Sequence, residues 1–197
     1  LMTYLNREYY IGLLNAAAFY GASHQQSQEL TVITNKGNYR DKHKNGVKIN
    51  FVGKKTIPQA CIRQKTTKTG YINISNPELT AMDLIFYQHE IGGLSRAGTV
   101  LDELAEELDF TRVDNDFFSF FPSTTVQRLG YILDEILGYK EIAKTLYKKG
   151  LQYGLSFRKS LLKPKKDTDQ APYNKLWKLV INEEIETFVG QIIDQLP

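Results

Sequence analysis

The densest concentration of chemically capable side chains lies between Lys36 and Lys68, where lysine and arginine recur with His43 among them. Lys36, Arg40, Lys42, Lys44, Lys48, Lys54, Lys55 and Arg63 form the candidate basic patch. Cations spaced along strands and turns neutralise phosphates, which gives salt-sensitive binding that is largely independent of base sequence. An acidic protein partner would use the same charges, and a solvated basic face needs neither. Tyr39 and Phe51 are too sparse among them to form a stacking platform. A second candidate is the compact polar turn His24-Gln25-Gln26, just past an apolar segment that stops at Gly21. One imidazole and two amides suit a partner backbone or a base edge; they equally suit tying a helix end to the next loop.

Tools for catalysis are few. No glycine-rich loop with phosphate-binding spacing is present. His24, His43 and His89 lack the spacing of a helical metal pair, and Cys61 stands alone. Asp114-Asn115-Asp116 resembles the start of a calcium loop, but Phe117-Phe118-Ser119-Phe120-Phe121 follows where further oxygen ligands are required. Asp83, Asp114 and Asp116 are the carboxylates that an alternative reading, a metal-dependent nuclease or phosphoryl-transfer enzyme, would have to use. The expectation is a chain with no cofactor, no metal and no catalysis of its own. Phe117–Phe121 reads as a plug closing the core, with a partner-docking loop as its alternative.

These residues must be carried by a chain of 197 residues, 42% apolar and 24% charged, long enough for a substantial core. One cysteine excludes an internal disulfide and suits a reducing compartment. No apolar run approaches the ~20 residues of a membrane span, and no secretory leader opens the chain, so a cytoplasmic location with no membrane contact is expected. The net charge of +3 conceals blocks. Residues 1–75 hold 11 Lys and Arg against 3 Asp and Glu, residues 76–137 hold 3 against 12, and residues 138–197 hold 11 against 7. Such blocks either steer charged partners or face one another inside the fold.

Pattern predicts an α+β fold. Apolar side chains from Asn6 to Tyr20 read as one buried helix ended by Gly21. Strands are expected near residues 30–34, 47–52 and 71–75, where β-branched and alternating residues lie between polar turns. Asn76-Pro77-Glu78 is a helix start, and Leu79, Met82, Ile85 and Phe86 form its core stripe. Further helices are expected over Arg96–Leu108, Val126–Leu137 and Lys140–Lys149. A last strand near residues 176–182 and a closing helix over Glu184–Leu196 complete one small mixed sheet with several helices. One continuous domain over residues 1–197 is expected, with a subdivision into 1–137 and a helical, basic 138–197 as the alternative.

Three stretches resemble the C-terminal domain of AbiE-type abortive-infection antitoxins. Tyr9–Gln26 is similar to the family helix YYxGLLxAAxxxGxxHQ; Ile74–Leu84 (ISNPELTAMDL) is similar to its strand-to-helix junction; and Val126–Asp134 (VQRLGYILD) is similar to its RRLGYLLE-like helix. The segment Trp177–Asn182 fits a terminal strand of the family. The resemblance implies an antitoxin and transcriptional regulator of a type IV toxin–antitoxin pair, active in phage defence against a nucleotidyltransferase-like toxin. It also implies a winged-helix DNA-binding domain upstream, for which nothing before Tyr9 leaves room. Toxin neutralisation is therefore the role expected of this chain, with DNA contact through the basic patch or the missing domain.

Overall fold

The computed structural model describes residues 8–22, 29–35, 42–44, 46–67 and 70–187. Their elements run in the order β1 (Tyr9–Ile11), α1 (Leu13–Phe19), β2 (Glu29–Thr34), β3 (Lys42–Lys44), β4 (Val47–Gly53), β5 (Ile62–Thr67) and β6 (Gly70–Ser75). Then come α2 (Pro77–Phe86), α3 (Gln88–Ile91), α4 (Leu94–Leu104), α5 (Asn115–Ser119), α6 (Ser123–Tyr131) and α7 (Lys140–Gln152). Three short strands end the series: β7 (Ser160–Leu161), β8 (Tyr173–Asn174) and β9 (Leu179–Val180). The first six strands form a mixed sheet in the order β3-β4-β2-β1-β6-β5, and the last three form a small sheet ordered β7-β9-β8. The fold is α+β, as the pattern predicts.

The single helix expected over 6–20 is corrected. Tyr9–Ile11 is an inner strand, antiparallel to β2 with Tyr10 opposite Ile33, and parallel to β6 where Ile11 meets Ile74. Tyr10 and Ile11 are both buried, so the strand shows no polar alternation and reads as part of the apolar helix that follows. Gly12 separates the two elements. A Cβ there would lie 2.6 Å from Ile33 Cδ1, so the chain turns only where no side chain intervenes. Leu13 completes the turn at φ +54°, a left-handed backbone that costs a non-glycine residue about 1–3 kcal/mol. Its side chain is buried in the core.

Strands β2, β4 and β6 fall where alternation places them, whereas β3 and β5 carry too little apolar signal to be read. Both are edge strands, and β5 (Ile62-Arg63-Gln64-Lys65-Thr66-Thr67) is largely exposed, as charged edges commonly are. Helix α2 begins as expected: the Asn76 side chain accepts the Leu79 N–H at 2.9 Å and Pro77 fills the first turn. It is buried from Glu78 to Ile85, not along a stripe only, and Phe86 is partly exposed. Asp114 caps α5 by accepting the Phe117 N–H at 3.0 Å, and Phe117, Phe118 and Phe121 are buried. The phenylalanine run is thus part of the core.

The C-terminal third departs further from expectation. The helix expected over Val126–Leu137 is α6 followed by one wider turn, in which Leu137 N–H reaches Ile132 O five residues back at 2.9 Å. The strand expected at 176–182 shrinks to β9 and belongs to the second sheet. Residues 184–187 are not helical, and the rest of the expected closing helix lies outside the described residues. What holds this region is Trp177, fully buried against α6. Gln127 Nε2 donates to Arg158 O at 2.9 Å and Trp177 O at 2.7 Å, while Arg128 makes two bonds to Leu161 O. Trp177 Nε1 donates to Asp134 at 3.0 Å.

A Cβ built on Gly130 would overlap the six-membered ring of Trp177, so this helical glycine is dictated by the indole above it. Gly130→Ala is expected to lower stability by about 1–3 kcal/mol, the usual cost of overpacking. In a chain of this size that is a melting shift of roughly 2–4 °C per kcal/mol. Thermal denaturation checks it; an unchanged midpoint would show that the indole moves off α6 without penalty.

Candidate functional site

The sequence-predicted basic patch does not assemble as one surface. Lys36 and Arg40 lie outside the described residues, as do His24, Gln25 and Gln26. Lys42 and Lys44 stand on β3, paired through the backbone with Ile49 and Val47 of β4. Arg63 stands on β5 at the other edge of the sheet, five strand spacings or roughly 24 Å away. Lys48 approaches Glu29 at 3.1 Å, and Lys55 is exposed. The separation arises because β2, β1 and β6 intervene between the basic edges, which sequence proximity cannot show.

Lys54 is a clear correction: it is in the interior. Its Nζ lies 3.1 Å from Asp83 Oδ1, and neither side chain is more than 5% exposed. Tyr10 donates its hydroxyl to the other oxygen, Asp83 Oδ2, at 2.6 Å. Phe121 lies beneath the ammonium with its ring centroid 4.0 Å away, and the rings of Phe86 and Tyr87 are each 5.5 Å away. Burial pushes the Asp83 carboxyl above the usual carboxylate range, although Lys54 and Tyr10 draw it back. Asp83 therefore has both oxygens committed to the fold. Asp114 caps α5 and Asp116 is exposed, so the three carboxylates of the enzyme alternative occupy three separate roles. Among the described residues no group of three His, Cys, Asp or Glu side chains is placed to hold a metal ion.

An open cleft of about 480 Å³ lies where β5 passes the start of α2 and the segment 105–114. Arg63 and Lys65 of β5 line it with Glu107 and Asp114, over Cys61, Glu78 and Phe117. Glu78 is mostly buried and accepts the Asp109 N–H at 2.9 Å; burial raises its pKa despite that bond. Burial, assisted by the nearby Asp114 carboxylate, pushes the Cys61 thiol up to about 11, so it stays protonated and is a poor nucleophile. The cleft was not legible as a site. Its only sequence signal is the contrast between a basic first block and an acidic second one, and here the two blocks face each other.

Two expectations follow from these geometries. Lys54→Met leaves Asp83 buried without its cation and is expected to cost about 3–5 kcal/mol. Adding Asp83→Asn should recover much of that loss, a coupling that a double-mutant cycle in denaturant measures. Because Asp83 and Glu78 both have raised pKa values in the folded chain, the folded state retains protons that the unfolded state has released. Stability should therefore fall as pH rises from the ordinary carboxylate range near ~4 through the folded values. Glu78→Gln should flatten that slope; a slope unchanged by this substitution would remove Glu78 as its source.

No curated protein matches the chain. The crystal structure of the RV2827C protein from Mycobacterium tuberculosis is similar, with a TM-score of 0.59 and 12% identity over 95% of this chain. This chain spans 66% of that one, just under two thirds of its length, and at this identity the likeness is one of fold. Among the described residues no helix is long and apolar enough to cross a membrane. The model of the AbiEi antitoxin C-terminal domain matches residues 10–135, from Tyr10 through Asp83 and the cleft to the wide turn after α6. The chain belongs to the AbiEi antitoxin C-terminal domain family.

Proposed function

We propose that this chain is the neutralising domain of a type IV abortive-infection pair, acting in the cytoplasm against a nucleotidyltransferase-like toxin without chemistry of its own. The family match over residues 10–135 is the observation that carries the reading. The placement of the carboxylates supports a binding module over a nuclease: Asp83 is sealed in the core, Asp114 caps a helix and Asp116 stands apart in solvent. Control of its own promoter is part of the proposal. In it, Lys42, Lys44, Lys48 and Lys55 on and beside the β3–β4 edge, together with Lys36 and Arg40, touch DNA backbone; Arg63 on the far edge serves a separate contact. Backbone contacts of that kind weaken steeply with salt. His24, Gln25 and Gln26 are proposed as a partner contact or a structural tie.

The test is growth rescue. The gene adjacent to this one in the source genome is induced alone and then together with residues 1–197. Relief of toxicity by this chain is the expected result. Toxicity that persists with residues 1–197 but is relieved by a longer reading frame would place neutralisation outside residues 1–197. Toxicity relieved by neither would overturn the antitoxin reading.

A further inference from the structure

The basic and acidic blocks of the sequence meet across the cleft beside α2 without closing on one another. Arg63 and Lys65 come from the first block, Glu107 and Asp114 from the second, and all four line the same space of about 480 Å³, where Arg112 and Asp109 of the second block are already paired with each other at 2.8 Å. Arg63 donates to the Ala60 carbonyl at 3.2 Å, and Lys65 lies 5.8 Å from the Tyr20 ring. Among the described residues neither cation has a carboxylate within the 4.0 Å of an ion pair, whereas Lys54 and Asp83 of the same two blocks do. Opposite charges are therefore held apart over a volume typical of small-molecule sites.

The lining excludes several occupants. A phosphate or nucleotide would meet Glu78, Glu107 and Asp114, and the start of α2 offers it little, since Asn76 already takes the Leu79 N–H. A polyamine would meet Arg63 and Lys65. A metal would need a denser ligand set than the described residues provide, and the Cys61 thiol stays protonated. What satisfies both walls is a molecule with no net charge that carries one charge of each sign, resting on a floor of Cys61, Phe117 and the Glu78 carboxyl, which already accepts the Asp109 N–H. We infer that the cleft binds a small zwitterion such as an amino acid, its carboxylate on Arg63 and Lys65 and its ammonium on Glu107 and Asp114. The site gives a regulator domain a small-molecule input, and it stands independently of the toxin reading.

The test titrates residues 1–197 with glycine, γ-aminobutyrate and ε-aminohexanoate, whose charges are progressively further apart. Hexanoate and hexylammonium at equal ionic strength are the single-charge controls. Amide resonances of residues 61–65, 76–79 and 105–114 are followed by NMR. One zwitterion of the series is expected to shift them saturably, well beyond either control. Arg63→Gln and Glu107→Gln are each expected to weaken that binding by about tenfold, the effect of losing one charge-assisted bond. Both side chains are exposed, so the variants should melt as the parent does. The proposal is overturned if no zwitterion exceeds the controls, or if binding survives both substitutions.

Discussion

A single buried carboxylate ties the layers of this protein together. Asp83 on α2 accepts a hydrogen bond from Tyr10 of β1 and an ion pair from Lys54, which follows β4. The inner strand, the loop leaving the sheet and the central helix thus converge on two oxygen atoms. Taking the carboxylate out of water is costly, and the arrangement is tolerable because both oxygens are satisfied and the ammonium rests on the Phe121 ring. Removing any partner exposes the full desolvation cost. The same demand explains why the phenylalanine run lies inside: Phe121 completes the enclosure, and Phe117 and Phe118 fill the space beside it.

A second constraint reaches past the region that the family model covers. Residues 158–182 fold over α6, and the fully buried Trp177 occupies the hollow that Gly130 leaves. Gln127 and Arg128 donate to main-chain carbonyls of that segment, so three positions of one helix, two donors and one missing side chain, serve the cap. The Gln-Arg-Leu-Gly stretch that resembles a family motif is explained here by packing and backbone satisfaction.

The distribution of charge then separates structure from function. Where the basic and acidic blocks touch in the interior, they form the Lys54–Asp83 pair; where they face across the α2 cleft, they remain apart. Lys42 and Lys44 on β3, and Arg63 and Lys65 on β5, sit at opposite edges of the sheet, where charges also discourage edge-to-edge pairing. A domain built in this way has its polar groups committed to the fold or displayed for partners, which suits membership of an antitoxin family.

How much of this was legible follows from the range of each interaction. Strands β2, β4 and β6 are visible because alternation is a local property, and the start of α2 is visible because Asn76 and Pro77 cap it within one turn. Membership of the family is equally local, carried by short stretches around Tyr10, Asn76 and Gly130. Tyr9–Ile11 reads as helix because Tyr10 and Ile11 are both buried, so no polar alternation separates the strand from a buried helix. Strand β5 carries no sequence signal because its pairing lies with β6 and its side chains are largely exposed. The burial of Lys54 is invisible in the sequence for a related reason, since its carboxylate partner is 29 positions away. By itself the sequence determined the local elements, their capping and the family; the tertiary structure alone decided the strand order, the buried ion pair and the cleft, because each depends on contacts between residues far apart in the chain.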